Sequence, residues 1–331
     1  MHILRSRAFA CALLTAAWAA LAAPHYLAWT GESPPPSRLP RSAFESVCDQ
    51  TPVTLTVTRG WQKQWVVVPA WRVQSDWTLW RTMRFDDWNT VPEPFRQVGL
   101  TRMFRRYSRI LDGPATWRGM DTADWDGIPS PVRAIAILRM VDAWVAQYAG
   151  AARFGIPDRR LSDTIGAIIM VESWFEHAAV NTSPTGNRDL GLAQASDSCR
   201  RTLARLARDG AADFTMDEQD YFNPWTATRV ATFWLLRLLG QARGDLNLAI
   251  RAYHEGIVAA RRGAGEEYLA GVLAKRETYM RNEATPPAWT FVFAAARLEP
   301  AAAQPSEAAP DSVRVAALRS PTPGRDARQH E

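Results

Sequence analysis

Between residues 130 and 281 apolar positions recur every three or four residues, the spacing that puts them on one face of a helix. The first such run opens at Ser130-Pro131, a helix cap followed by proline at the first helical position. It repeats through Ile135, Leu138, Val141 or Asp142, and Val145, and stops at Gly155 and Pro157. A second helix is expected from a cap at Ser162 or Asp163 and carries the almost purely apolar stretch Ile165–Phe175, interrupted by Glu172. Further helices are predicted over 196–209, 224–240 (Asn223 cap, Pro224 first), 245–253 and 264–281. Upstream the period changes to two. Val53, Leu55 and Val57 alternate with threonines over 52–58, and Trp65–Trp71 reads as a second strand that Pro69 ends or marks as an edge. The fold class expected is mainly α: a helical domain over 126–285, preceded at 43–125 by a small Trp-rich α+β or irregular region. No motif identifies the fold of that region.

Three flanking segments lack such patterning. Residues 1–22 have a basic start at Arg5 and Arg7, an apolar stretch from Ala8 to Leu21, and the pattern Ala20-x-Ala22, which together read as a secretory signal peptide. Residues 23–42 hold a proline-rich linker, and 286–331 turn to Ala, Pro, Arg and Ser, the composition of a disordered tail. No later segment reaches the length of a membrane span, so the chain is expected outside the cytoplasm, in the periplasm or cell envelope, with no transmembrane segment after cleavage.

Composition adds three limits. With 331 residues and 47% hydrophobic content, the chain can bury a substantial core. The formal charge of +5 comes from dispersed arginines without a nucleic-acid motif, which points to an anionic envelope polymer rather than DNA, or simply to an Arg-rich surface. After the signal, Cys48 and Cys199 remain as a pair for an oxidising compartment, and the sequence leaves their bonding open. The Cys and His residues lack metal-ligand spacing, so neither metal nor cofactor is expected. Eight tryptophans lie between 61 and 125. They suit stacking on sugar rings, though large aromatics more often fill cores.

The chemistry concentrates in three pieces. Glu172-Ser173 closes the apolar helix, the polar loop Asn181–Leu190 leads into Gly191-Leu192-Ala193-Gln194, and Ala249–Gly256 is a helix end carrying Tyr253. Singly, each has a plain explanation: a Glu snorkelling from a helix terminus, glycines as helix caps, a surface Gln, a core tyrosine. A carboxylate set against Ile168, Ile169 and Val171 would instead be pushed to a higher pKa, keeping a proton that an ordinary Glu, with pKa about 4.3, has lost near neutrality. Such an acid can protonate the leaving oxygen of a glycosidic bond, as the pocketed glutamic acid of lysozyme does.

In combination and order, the three pieces resemble the soluble lytic transglycosylases, relatives of goose-type lysozyme that cleave peptidoglycan. The family pattern, Glu-Ser, then Gly-Leu-Met-Gln, then Ala-Tyr-Asn-Ala-Gly, reads here Glu172-Ser173, Gly191-Leu192-Ala193-Gln194 and Ala252-Tyr253-His254-Glu255-Gly256. The resemblance spans roughly 130–283 and implies a lysozyme-like helical domain. It implies Glu172 as sole catalytic acid/base, Tyr253 lining the cleft, and Gly191, Leu192 and Gln194 shaping its floor, with Ser173 and Asp189 among the substrate-facing residues. The loop around Asn187-Arg188-Asp189 is most similar to small transglycosylases that accompany secretion, pilus and conjugation machinery, which implies such machinery as a partner besides the glycan strand. Departures are Ala193 for Met, His254-Glu255 for Asn-Ala, and Asn181 or Ser183 where the family often has a serine. Glu176, one turn on from Glu172, Asp189 and Glu255 are the candidates for a second carboxylate. Without one, the 6-hydroxyl of muramic acid supplies the nucleophile and leaves a 1,6-anhydro end. The alternatives are a lysozyme-like hydrolase using Asp189 or Glu255 with water, and an inactive wall-binding protein that keeps the groove.

Overall fold

The structure, a computed structural model, describes residues 50–59, 62–92, 95–111, 113–148 and 154–280. The expected signal peptide, linker and tail, together with Trp61 and Cys48, lie outside the described residues. The chain divides into two compact units, Met1–Ser108 with Gly127–Val132, and Arg109–Asp126 with Arg133–Glu331. Among the described residues no helix is long and apolar enough to cross a membrane.

The first unit opens with β1 (Pro52–Arg59) and β2 (Gln62–Pro69), an antiparallel pair in which Val53 faces Val68 and Pro69 is the last paired residue. Alternation buries Val53, Leu55 and Val57. The outer edge of β1 is covered by a 3-10 turn, Asp86–Thr90. Thr90 Oγ1 accepts from the Thr56 amide, and buried Asp87 accepts from the amides of Thr58 and Arg84 and from the Thr58 hydroxyl. Three helices follow: α1 (Ala70–Ser75), α2 (Trp77–Thr82) and α3 (Phe95–Arg106). Asp76 caps α2 by accepting from the amides of Thr78 and Leu79. Gly99 allows α3 to approach α1, since a Cβ there would stand 2.6 Å from the Val73 carbonyl oxygen.

The second unit is helical: α4 (Pro114–Arg118), α5 (Thr122–Asp126), α6 (Ser130–Tyr148), α7 (Asp158–Ser173), α8 (Asp197–Arg208), α9 (Pro224–Gln241), α10 (Leu246–Glu255), α11 (Ile257–Arg261) and α12 (Glu266–Lys275), which runs into a π turn, Arg276–Met280. The only strands among its described residues are β3 (Val180–Thr182) and β4 (Arg188–Leu190), a short hairpin. The first three residues of α6 group with the first unit. The mainly α architecture is the one the periodicity predicts.

Two helix starts differ from expectation. Ser130 does not cap α6; its hydroxyl is buried and donates to the Met83 carbonyl. Helix α7 begins at Asp158, before the expected cap at Ser162 or Asp163. Pro157, at φ −59°, already presets the entry, and Leu161 and Ser162 are buried inside the helix. Asn223 caps α9 as read from sequence, accepting from the Trp225 amide, and Asp245, expected as the first residue of its helix, caps α10 by accepting from that of Leu248.

Tryptophans 117 and 125 are buried in this unit. Trp117 packs against Trp225, which in turn lies 4.3 Å from Trp144. Trp80 and Trp88 are core residues of the first unit, whereas Trp65, Trp71 and Trp77 are exposed.

Candidate active site

Helix α7 builds the site by burying one face and ending abruptly. Ile165, Ile168, Ile169 and Met170 are fully buried, each contributing about 1.5–3 kcal/mol. Directly after Ser173 the backbone of Trp174 and Phe175 turns left-handed, at φ 51° and 62°. Two consecutive non-glycine residues there cost on the order of 1–3 kcal/mol each. Complete burial of the Phe175 ring and the Lys275 ammonium, 4.0 Å over the Trp174 ring, offset that cost. The reversal leaves Glu172 in the final turn of α7 and carries Glu176 off the helix. The sequence expectation that Glu176 shares a helix face with Glu172 therefore fails. Glu176 instead accepts from the Arg133 guanidinium at 2.7 Å.

Glu172 is half-buried, and burial pushes its carboxyl above the usual range. Two groups oppose that push. The Tyr268 hydroxyl donates to Glu172 Oε1 at 2.5 Å, and the charge of His254 favours the carboxylate, while Asp189 acts in the same direction as burial. Tyr268 is absent from the motifs that sequence reasoning singles out. It comes from α12, which packs on α7, and its ring is stacked with that of His254 at 4.7 Å. Burial and the adjacent Glu172 raise the Tyr268 hydroxyl, so it remains a donor. The carboxyl is thus held by one oxygen, and Oε2 stays available to carry a proton.

The turn Gly191–Gln194 lies beside it. Leu190 and Ala195 exchange backbone hydrogen bonds across its base, and the Gly191 amide donates to Ala179. Gly191 has φ 68°, and a Cβ there would fall 1.8 Å from the Tyr221 carbonyl oxygen, so only glycine fits. Each of three successive carbonyls in this turn takes a side-chain donor. Gln194 Nε2 donates to Gly191 at 2.8 Å, Ser173 Oγ to Leu192 at 3.1 Å, and Tyr253 Oη to Ala193 at 3.2 Å. Leu192 is buried. Burial raises the Tyr253 hydroxyl, with Glu172 adding to the effect.

Of the other candidates, Asp189 sits opposite Asn181 in the β3–β4 hairpin. Burial raises its carboxyl, opposed by Arg200 and His254. Glu255 is near the surface with its Oε1 3.1 Å from His254 Nδ1. Ser183 is engaged with Thr185 at the hairpin tip. Cys199 is buried in α8 with its thiol pushed up to about 12. The site therefore gathers Glu172, Tyr268, His254, Asp189 and a braced glycine turn, an arrangement suited to acid catalysis on a ligand lying over the turn. No curated protein and no solved structure matches the chain. Residues 158–271, from the first residue of α7 to within α12, match the family model of the transglycosylase SLT domain.

Proposed function

We propose that the chain is a lytic transglycosylase that cleaves the MurNAc-GlcNAc bond of peptidoglycan with Glu172 as its single acid/base. The observation that carries this reading is the Glu172–Tyr268 pair. Burial shifts this carboxyl toward its acid form while the Tyr268 hydroxyl fixes Oε1, which leaves Oε2 to present a proton to a glycosidic oxygen. Glu172 gives its proton to the leaving oxygen as the bond to the MurNAc anomeric carbon breaks. The MurNAc 6-hydroxyl then bonds to that carbon and returns its proton to Glu172, closing a 1,6-anhydro ring and restoring the acid. The pairing of Glu176 with Arg133 and of Glu255 with His254 supports the substrate, not the protein, as the source of the nucleophile. The turn Gly191–Gln194 forms the floor on which the strand lies.

The measurement is the mass of muropeptides released from sacculi. Products carrying anhydro ends, without added water, are expected; one water gained per cut would replace this reading with a hydrolase, for which Asp189, whose charge acts on Glu172, is a candidate second carboxylate. Export and service to a secretion or conjugation apparatus complete the proposal, supported by the likeness of the 186–194 loop to transglycosylases of such systems. Deleting the gene is expected to impair that apparatus while growth continues.

A further inference from the structure

Most of the large apolar side chains exposed among the described residues fall between positions 65 and 77: Trp65 at 75%, Val67 at 66%, Trp71 and Trp77. All four belong to the first unit, outside the segment that matches the family model. Strand alternation puts Lys63, Trp65 and Val67 on the face of β2 opposite the core. Trp77 is 42% exposed and has two guanidiniums over its ring, Arg81 from α2 at 5.5 Å and Arg106 from α3 at 5.8 Å. Arg102 lies one turn before Arg106 on the same helix face, with Arg105 beside it. Among the described residues no ion pair holds Arg81, Arg102, Arg105 or Arg106. Residues 50–108 carry nine Lys and Arg against four Asp and Glu, a net of +5, equal to the formal charge of the whole chain.

Like charges gathered around one indole repel each other, and a multivalent anion relieves that repulsion. The neighbouring chemistry narrows its kind. A sugar ring pairs its hydroxyls with carboxylates or amides, but Asp76 is engaged by Arg72 and Thr78, Asp86 by Lys63, and buried Asp87 by Thr58 and Arg84, while strand alternation sets the exposed amides of Gln62 and Gln64 on the other face of β2 from Trp65 and Val67. Val67 offers a sugar nothing, whereas Trp beside Val and a fringe of Lys and Arg suits the boundary of a bilayer. There indoles sit at headgroup depth and guanidiniums meet phosphate.

We infer that the first unit docks on the surface of a membrane containing anionic phospholipid, through Trp65, Val67 and Trp77 with Arg81, Arg102 and Arg106. This surface is independent of the reaction assigned to the second unit. The test uses residues 23–331, the form expected after signal cleavage, co-sedimented with vesicles of phosphatidylglycerol mixed into phosphatidylcholine, and with pure phosphatidylcholine vesicles. Binding to the anionic vesicles alone, weakened by salt, is expected. Replacing both Arg81 and Arg106 with Glu is expected to weaken it by about tenfold or more, and Trp65→Ala with Val67→Ser to weaken it at unchanged charge. Muropeptide release in solution stays unchanged in all of these. Arg81→Lys with Arg106→Lys retains most of the binding, which separates lost charge from a damaged fold. No preference for the anionic vesicles, or charge-dependent binding to purified sacculi in its place, overturns the proposal.

Discussion

At the scale of single residues, the acid role proposed for Glu172 calls for a carboxyl dry enough to hold a proton yet wet enough to give it up, and its neighbours set that balance. Burial raises its pKa, and the Tyr268 hydroxyl and the charge of His254 pull it back. Glu172→Gln is expected to lower muropeptide release by about 10²–10⁴-fold, the usual worth of a positioned acid. The same variant is expected to melt at a higher temperature than wild type at pH 7, an advantage that fades toward pH 4. A carboxyl with a raised folded pKa costs stability only where it is ionised, and that cost disappears below the unfolded value. For Tyr268→Phe, loss of the donor to Oε1 leaves burial less opposed, so the alkaline limb of the rate profile should move to higher pH while turnover falls. A lower rate with an unmoved limb would mean that Tyr268 only fills space.

At the scale of elements, the legible parts of the chain are those whose signals are local. Asn223-Pro224 announces a helix because a cap and the amide it receives lie within three residues of each other, and Ser196 and Asp245, where two more helices are expected to start, cap theirs over the same short reach. The strand pair follows from Val53, Leu55 and Val57 in the same way. Residues 70–126 are opaque because their helices are mostly five or six residues long, too short to display a 3.6 period. Only Asp76, capping α2, leaves a readable mark. Glu172, the glycine turn and Tyr253 are visible as spaced motifs. Tyr268 is not, since it stands 96 residues from the carboxyl it holds and only the packing of α12 on α7 joins them. Glu176 departs from expectation because two left-handed residues break the helix without a glycine to signal it. Gly191→Ala is expected to lower stability by about 1–3 kcal/mol or more, because the new methyl meets the Tyr221 carbonyl at a positive φ, and to reduce cleavage with it. Thermal melts beside sacculus assays check both effects.

At the scale of the whole molecule, two features set behaviour. One is acid sensitivity. His177 is 2% exposed, and burial with the nearby Arg133 holds it down to about 4, although its Nε2 lies 3.0 Å from Asp126. A histidine neutral in the fold but free to charge when unfolded contributes stability that is present above about 6.5 and is lost as pH falls toward about 4, on the order of 3 kcal/mol in all. Denaturant midpoints measured across that window should fall in the wild type and flatten in His177→Gln. The other is connectivity: the chain crosses between units at Ser108, Asp126 and Val132. A truncation starting at Arg109 keeps the second unit whole but strips Gly127–Val132 of their unit, including the Ser130–Met83 hydrogen bond. It is expected to keep muropeptide release in solution and to melt below the full chain.

The three donors that grip the carbonyls of Gly191, Leu192 and Ala193 carry a warning for mutagenesis. Ser173, Gln194 and Tyr253 act as guy-ropes on a single stretch of main chain. An alanine scan would find each of them indispensable even if none ever touches a glycan. A slackened tether should be betrayed by faster amide exchange in the turn before any sugar is added, whereas a missing contact to the strand should show only once sugar is present.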